Sequence, residues 1–148
     1  MKKIYFLPLL ISILFLGGCD DNNDPKRVAF TLDGTTYIAN SPEAFLTFKG
    51  NDLYDILIIG ERSDFTIRIT LDNVPLTSVY PNIAEFILAN TTGSLESGDC
   101  VQNISTTVIF DGLNNNSRRL DGEFTGYVCN GVDEFEITNG LIENVPVR

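Results

Sequence analysis

The residues of this chain that could carry chemistry are mostly carboxylates. Asp121 and Glu123 lie in one predicted strand, and Glu134 and Glu136 lie in the next one. Alternate residues of a strand point to the same face, so Glu134 and Glu136 would project together, about 7 Å apart along the strand. Most glycoside hydrolases use a pair of carboxylates for catalysis. The same pattern is typical of a solvent-exposed strand face, and we favour that interpretation.

The chain contains no histidine among its 148 residues. A Ser-His-Asp or Cys-His nucleophile system therefore has no base, and the usual histidine-containing zinc sites are excluded. Asp20, Asn22 and Asp24 have the spacing of the first three ligands of an EF-hand loop. However, Pro25 and Thr31 stand where that loop requires a glycine and a bidentate glutamate. We therefore expect no metal site and no cofactor.

Three aspartates, Asp33, Asp111 and Asp121, each precede a glycine. Asp-Gly is first of all a turn signal, and we interpret the three pairs as turns. Calcium prefers oxygen ligands, so calcium binding through these carboxylates stays an open alternative.

The overall charge is acidic. The chain has 10 Lys and Arg residues against 20 Asp and Glu residues, which gives a formal net charge of −10. A protein that binds duplex nucleic acid needs clustered cations to replace the counterions of the phosphates. The cations here are scattered along the sequence, so we expect no nucleic-acid partner.

The N-terminal residues resemble a bacterial lipoprotein signal. Two lysines precede an apolar run at 4–16, which is shorter than the ~20 residues of a membrane-spanning helix. Leu16-Gly17-Gly18-Cys19 follows, and it resembles the lipobox, in which the cysteine is lipidated and becomes the mature N-terminus. The resemblance implies a signal peptide at 1–18 and a lipid on Cys19 that anchors the chain in a membrane without a transmembrane helix.

An acidic segment follows the cysteine. Asp20, Asp21 and Asp24 lie among polar residues that cannot bury area, so residues 19–27 are predicted to form a lipidated tether. The segment resembles the acidic stretch that marks lipoproteins of Bacteroidota for surface export. Aspartate directly after the cysteine also resembles the inner-membrane retention signal of enterobacteria. We favour the outer membrane, with the domain facing the periplasm or the cell surface. Removal of residues 1–18 takes away two lysines and no acid, so the net charge of −10 becomes −12.

The other two cysteines, Cys100 and Cys129, form an even pair in an exported chain. Such a pair predicts a disulfide. A redox function is the alternative, but the chain has no C-x-x-C motif. We expect the bond to join the turn near Gly98 to the strand that ends near Val128.

Residues 28–148 predict a single all-β domain. Short runs of alternating apolar residues are separated by Gly, Asn, Asp and Pro, and no long amphipathic helix is apparent. This pattern indicates an antiparallel β-sandwich or a closed β-barrel of about eight to ten short strands. The predicted strands cover residues 28–32, 35–39, 44–48, 54–60, 64–72, 83–89, 104–110, 120–129 and 134–147.

Individual segments carry more specific expectations. The stripe Ala44, Leu46 and Phe48 is predicted to face the core, and the apolar run at 56–59 predicts a strand covered on both faces. Residues 83–89 fit helical and strand spacing alike, and we interpret them as a strand. Gly140 interrupts the last strand and predicts a bulge. Loops or turns are predicted at residues 73–82, 91–98 and 111–117.

The closing strands resemble those of a known group of proteins. RLDGEFTG at 119–126 and EITNGLIENVP at 136–146 resemble the "sGtF" and "ItnG-x-F-x-n-vp" strands of small lipoproteins of unknown function from Bacteroidota. FTLDGTTY at 30–37 is similar to their opening hairpin, although Tyr37 stands where those proteins favour Trp. The resemblance implies a β-rich lipoprotein domain, and it transfers no catalytic residue.

These observations favour a membrane-anchored, non-enzymatic lipoprotein of the bacterial envelope that binds a protein or a glycan. The loops at 73–82 and 111–119 are the candidate contact surfaces. The chain has no Trp to stack on sugars, and Tyr54, Tyr80 and Tyr127 are the possible substitutes. Two alternatives stay open, namely a lipoprotein inhibitor of a secreted hydrolase and a carboxylate-pair glycosidase.

Overall fold

The computed structural model describes residues 25–77, 81–100, 106–114 and 116–148. In these residues ten strands form antiparallel ladders of one sheet, and a short 3-10 turn at Ser97–Asp99 follows the seventh strand. The prediction of a single all-β domain is confirmed. The strands are β1 (Arg27–Leu32), β2 (Thr35–Ala39), β3 (Glu43–Gly50), β4 (Leu53–Arg62), β5 (Phe65–Pro75), β6 (Asn82–Asn90), β7 (Gly93–Glu96), β8 (Thr106–Asn114), β9 (Arg119–Cys129) and β10 (Glu134–Pro146).

The sheet curls so that its far edge returns to its middle. The strand order is β2-β1-β10-β9-β7-β6-β5-β4-β3, and β8 pairs with both β6 and β9. β3, at one end of this order, meets the residues that follow β10. Ala44 forms a parallel bridge with Val147, and the backbone N–H of Arg148 donates to the carbonyl of Ala44 at 2.9 Å. This contact makes the sheet barrel-like.

The core fills the inside of the curled sheet. β5 alternates as predicted, because Phe65, Ile67, Ile69 and Leu71 are buried while the residues between them are not. An aromatic group lies at the centre, where the ring of Phe30 contacts the rings of its neighbours at centroid distances of 5.2 to 6.0 Å. Such aromatic contacts contribute about 0.5–1.5 kcal/mol per pair beyond the burial of their area.

Tight turns and a bulge set the register of the ladders. Asp33 and Gly34 have φ values of 46° and 75°, which confirms the predicted hairpin turn between β1 and β2. The ladder between β9 and β10 changes register between Ile137 and Gly140, which confirms the predicted bulge. A Cβ atom at Gly140 would lie 2.1 Å from the carbonyl oxygen of Phe124, so only glycine fits there.

Three predicted loops are shorter in the structure. Residues 91–98 were expected to be turn-like, but they contain β7, which pairs with β6 through a tight turn. β8 continues to Asn114 through an irregularity near Gly112, so residues 111–114 are strand rather than turn. β5 extends to Pro75, which shortens the predicted loop at 73–82. The ambiguous segment at 83–89 is a strand, as predicted.

Cys100 and Cys129 form a disulfide with a Sγ–Sγ distance of 2.03 Å. Cys100 directly follows the 3-10 turn, and Cys129 is the last residue of β9, opposite Glu96 of β7. The bond therefore fastens the shortest strand of the sheet to β9.

Candidate functional site

The outer surface of strands β3 to β6 carries apolar side chains. Phe45 of β3 lies opposite Leu57 of β4. Ile59 of β4 lies opposite Arg68 of β5, and Arg68 lies opposite Ile87 of β6. Phe45 is 40% exposed, and the three aliphatic residues are half-buried. We call Phe45, Leu57, Ile59 and Ile87 the outer apolar face. A solvent-facing sheet surface usually alternates to polar residues at such positions.

This face originates in the apolar run of β4. Ile56 and Ile58 point into the core and are buried, so Leu57 and Ile59 must point outward. The sequence predicted that this strand is covered on both faces. That prediction is wrong for the outer face, because Leu57 and Ile59 remain half-buried and no second layer of the described residues covers them.

A groove of about 520 Å³ runs across the outer apolar face. Phe45 and Ile59 form its apolar lining, and Ser41, Glu43 and Glu61 supply its polar groups. The guanidinium of Arg148 donates to the carboxylate of Glu43 at 2.5 Å. This hydrogen bond raises the pKa of Arg148 above its ordinary value. The groove thus combines an apolar lining with an acidic rim.

β3 contributes Phe45 to the outer apolar face and has an open edge. Its ladder partner is β4, and on its other side the described residues contact it through the bridge at Ala44. Backbone groups of alternate residues point to the same side of a strand. The carbonyl of Ala44 points away from β4, toward the edge of the sheet. The carbonyls of Leu46 and Phe48 therefore point toward that edge as well. We call residues 46–50 the open β3 edge.

Phe48 lies on the open β3 edge, where β3 leaves the core. The sequence predicted that Ala44, Leu46 and Phe48 all face inward, and this is correct for Ala44 and partly for Leu46. Phe48 is instead 61% exposed, and its ring contacts that of Tyr54 at a centroid distance of 5.3 Å. The alternation still holds, but at this end of the strand the curled sheet no longer covers the side chain.

An ion pair flanks the same end of β3. Lys49 Nζ lies 2.9 Å from a carboxylate oxygen of Asp55, and Asp55 also accepts the backbone N–H of Asn73 at 3.0 Å. The hydrogen bond from Lys49, with that from Asn73, lowers the pKa of Asp55 below its ordinary value. The same hydrogen bond, with the negative charge of Asp55, raises the pKa of Lys49 above its ordinary value.

The carboxylates singled out in the sequence do not form one site. Glu134 and Glu136 lie on β10 and line an exposed cleft of about 650 Å³ together with Asp33 and Asp133. Glu123 of β9 lies opposite Leu141, five residues beyond Glu136 and so about 17 Å away along the strand.

The fourth carboxylate, Asp121, has a structural partner. It accepts the backbone N–H of Asn144 at 2.7 Å. Among the described residues no three acidic or cysteine side chains are grouped to hold a metal ion.

Other candidate residues have different positions. Cys19, the acidic tether at 20–24 and Tyr80 lie outside the described residues. Tyr54 packs against the core as well as against Phe48, and Tyr127 is half-buried opposite Glu136. Phe45 was not predicted from the sequence. The available signal was the apolar run of β4, opposite which Phe45 lies.

Comparisons of this chain with protein-family models, with curated proteins and with solved structures find no match. Within the part of the chain that the structure describes, no helix has the length and apolar character needed to cross a membrane.

Proposed function

We propose that this chain is a non-enzymatic, lipid-anchored protein of the bacterial outer membrane that binds another protein through its outer apolar face. The observation that carries the proposal is the cluster of Phe45, Leu57 and Ile59 beside an open strand edge. Contiguous exposed apolar surface with a polar rim is typical of protein-interaction sites.

The composition of the face favours a protein over a glycan. A sugar site usually sets an aromatic ring among hydrogen-bonding groups that fix the hydroxyls. Here the ring of Phe45 is opposite Leu57, and Arg148 already occupies the carboxylate of Glu43. Apolar neighbours of this kind match apolar side chains of a protein, and the exposed Glu61 favours a basic group at the rim of the partner.

Support for the anchor comes from the N-terminal residues. The lipobox resemblance at 16–19 places the lipid on Cys19, eight residues before Arg27, where β1 begins. A segment of eight residues spans at most about 27 Å. The anchor would therefore keep Arg27, at the start of β1, within that distance of the bilayer surface.

Metabolic labelling of the full chain with a palmitate analogue tests the anchor. We expect label in the membrane fraction for the original chain and none for Cys19→Ser. Cys100→Ser with Cys129→Ser is the matched control, because it removes two other cysteines and should keep the label. Labelling of the Cys19→Ser variant would contradict the anchor.

Photo-crosslinking in intact cells tests the binding site. A photoreactive phenylalanine replaces Phe45 in one chain and Val132, which is 91% exposed, in a control chain. We expect one discrete protein adduct at position 45 that is absent at position 132 and is lost with Ile59→Glu. A glycan adduct, or equal adducts at both positions, would contradict the proposal.

A further inference from the structure

We propose that Asn130, in the turn between β9 and β10, is a site of spontaneous deamidation, where the folded chain converts the asparagine to aspartate and isoaspartate without an enzyme. The proposal goes beyond the proposed function, because it concerns this turn and needs neither the anchor nor a partner. Asparagine is among the thermolabile residues of proteins. Asn130 is followed by Gly131, and both residues are exposed to water, which is the co-reactant.

The reaction is an attack of the backbone on a side chain. The backbone nitrogen of Gly131 loses its proton and bonds to Cγ of Asn130, the Cγ–Nδ2 bond breaks, and Nδ2 takes up a proton and leaves as ammonia. The product is a five-membered succinimide ring. One water molecule then opens the ring at either carbonyl, which gives aspartate or isoaspartate at position 130. No electrons are transferred, so the conversion needs no oxidant or reductant.

Gly131 supplies an unhindered nucleophile. It has no Cβ atom to crowd the nitrogen or the closing ring, and its φ of 85° lies in a region that glycine adopts freely. The hydrogen bonds of this turn are donated by its neighbours Asn130, Val132 and Asp133. Among the described residues no acceptor holds the N–H group of Gly131, so the proton that the reaction removes is not tied to another group of that part of the chain.

The turn also polarises the amide that is attacked. Oδ1 of Asn130 accepts the backbone N–H of Val132 at 3.0 Å and that of Asp133 at 2.8 Å. Negative charge develops on this oxygen when the nitrogen bonds to Cγ, and two backbone donors stabilise such charge as they do in an oxyanion hole. The backbone N–H of Asn130 donates to the carbonyl of Asp133 at 3.2 Å, which closes the turn and keeps the donors in place.

Asn90 has the same kind of donors but not the glycine. Its Oδ1 accepts the backbone N–H groups of Thr92 and Gly93, at 2.8 and 3.1 Å. The next residue is Thr91, whose β-branched side chain crowds the backbone nitrogen that would have to attack. We therefore expect Asn90 to keep its amide, although this turn is exposed as well.

Asn139 has the glycine but not an open turn. Gly140 is buried in the bulge of β10, where a Cβ atom would lie 2.1 Å from the carbonyl oxygen of Phe124. Ring formation there would displace backbone that is packed against β9. We therefore expect Asn139 to react more slowly in the folded chain than in the unfolded chain.

Deamidation would change the charge and the length of the turn. Nδ2 of Asn130 donates to the carboxylate of Asp133 at 3.3 Å. A carboxylate at position 130 would instead repel Asp133, which lines the exposed acidic cleft together with Glu134 and Glu136. Isoaspartate also adds one atom to the backbone directly after Cys129. The converted chain therefore carries one more negative charge beside this cleft, on a longer turn.

Peptide mapping of the full chain by mass spectrometry tests the proposal. After incubation at neutral pH, the peptide that holds Asn130 should gain one mass unit, and fragmentation should find aspartate and isoaspartate there. Conversion at Asn130 should be at least as fast in the folded chain as in denaturant, because the folded turn supplies the two donors. At Asn139 it should be about ten-fold slower in the folded chain than in denaturant, because the packed bulge resists ring formation. Folded-state conversion at Asn130 that is no faster than at Asn139, or that is slower than in denaturant, would overturn the proposal.

A substitution at the other turn separates the glycine from the donors. Thr91→Gly gives Asn90 a following glycine in a turn that already has two donors, so Asn90 should then convert at a rate similar to that of Asn130. Thr91→Ala is the matched control, because it removes the branched side chain but keeps a Cβ atom, and Asn90 should keep its amide. Thr91 is exposed, so both variants should fold, and protease resistance checks this. Equal conversion of Asn90 in the two variants would overturn the proposal.

Discussion

At the scale of single residues, two glycines lie so close to a neighbouring strand that no side chain would fit at their positions. Gly140 lies in the bulge of β10, against the ring and carbonyl of Phe124. Gly122 has a similar position against the carbonyl of Ile109, with a Cβ position 2.6 Å from that oxygen. Both glycines allow the backbone of one strand to approach another more closely than any side chain permits.

Gly140→Ala should lower the free energy of unfolding by about 3 kcal/mol, because the new methyl group must displace backbone as well as a buried ring. Chemical denaturation measures the change. Gly98→Ala is the control, since nothing lies within 4 Å of its Cβ position, and it should change stability by less than about 0.5 kcal/mol. Equal effects of the two substitutions would show that the bulge is not tightly packed.

The ion pair of Lys49 and Asp55 gives a pH-dependent prediction. The pKa of Asp55 is lowered in the folded chain, so its contribution to stability is present above the unfolded pKa of about 3.9 and is lost as the pH falls through the folded pKa. NMR titration should find the pKa of Asp55 below 3.9, and Lys49→Met should raise it. Lys49→Arg keeps the charge and should leave most of the depression. An unchanged titration in Lys49→Met would contradict the assigned cause.

At the scale of elements, the sequence predicted those strands whose pattern depends on their own residues. β5 alternates over its central residues and was predicted with the correct inward face. β7 has only four residues and no alternation, and its second neighbour, β9, lies far along the chain, where a local sequence pattern cannot reveal the pairing. The continuation of β8 past Asp111 likewise depends on β9, which overrides the local turn signal.

The disulfide gives a prediction at this scale. Cys100 and Cys129 are 29 residues apart, and closing a loop of about 30 residues stabilises the fold by about 3.6 kcal/mol by the chain-entropy argument. The double substitution to Ser should lower the free energy of unfolding by a similar amount. Denaturation of the original chain with and without a reductant provides the control. A loss below about 1 kcal/mol would show that β7 stays in place without the bond.

At the scale of the whole molecule, the C-terminal residues connect the two parts of the curled sheet. The N–H of Val147 donates to the carbonyl of Arg118, and that of Arg148 donates to Ala44, both at 2.9 Å. Deleting residues 147–148 should lower the free energy of unfolding by about 2 kcal/mol, since it removes two backbone hydrogen bonds.

Hydrogen exchange at the backbone of β3 checks this prediction, and faster exchange is expected in the deletion variant. Arg148→Ala is the matched control, because it keeps the backbone bond and removes only an exposed ion pair, which contributes little. If Arg148→Ala and the deletion have equal effects, the side chain rather than the backbone holds the sheet together.

The candidate site was less predictable than the fold. The apolar run of β4 was visible in the sequence, but a run of this kind is equally consistent with a strand that has a second layer above it. Which of its faces remains uncovered depends on how the whole sheet curls. The exposure of Phe48 depends on the same curvature, because an inward position at the end of a strand is covered only if the sheet continues beyond it.

The pairing of the first strand with the last has a consequence for the order of events during biosynthesis. Arg27 of β1 lies opposite Glu143 of β10, 116 residues later. Because the N-terminus leaves the ribosome first, β1 cannot be paired on that side until nearly the whole chain has been synthesised. Long-range ladders of this kind form slowly. The unfinished chain therefore leaves this side of β1 unpaired until synthesis is nearly complete, and a chaperone can bind it during that time.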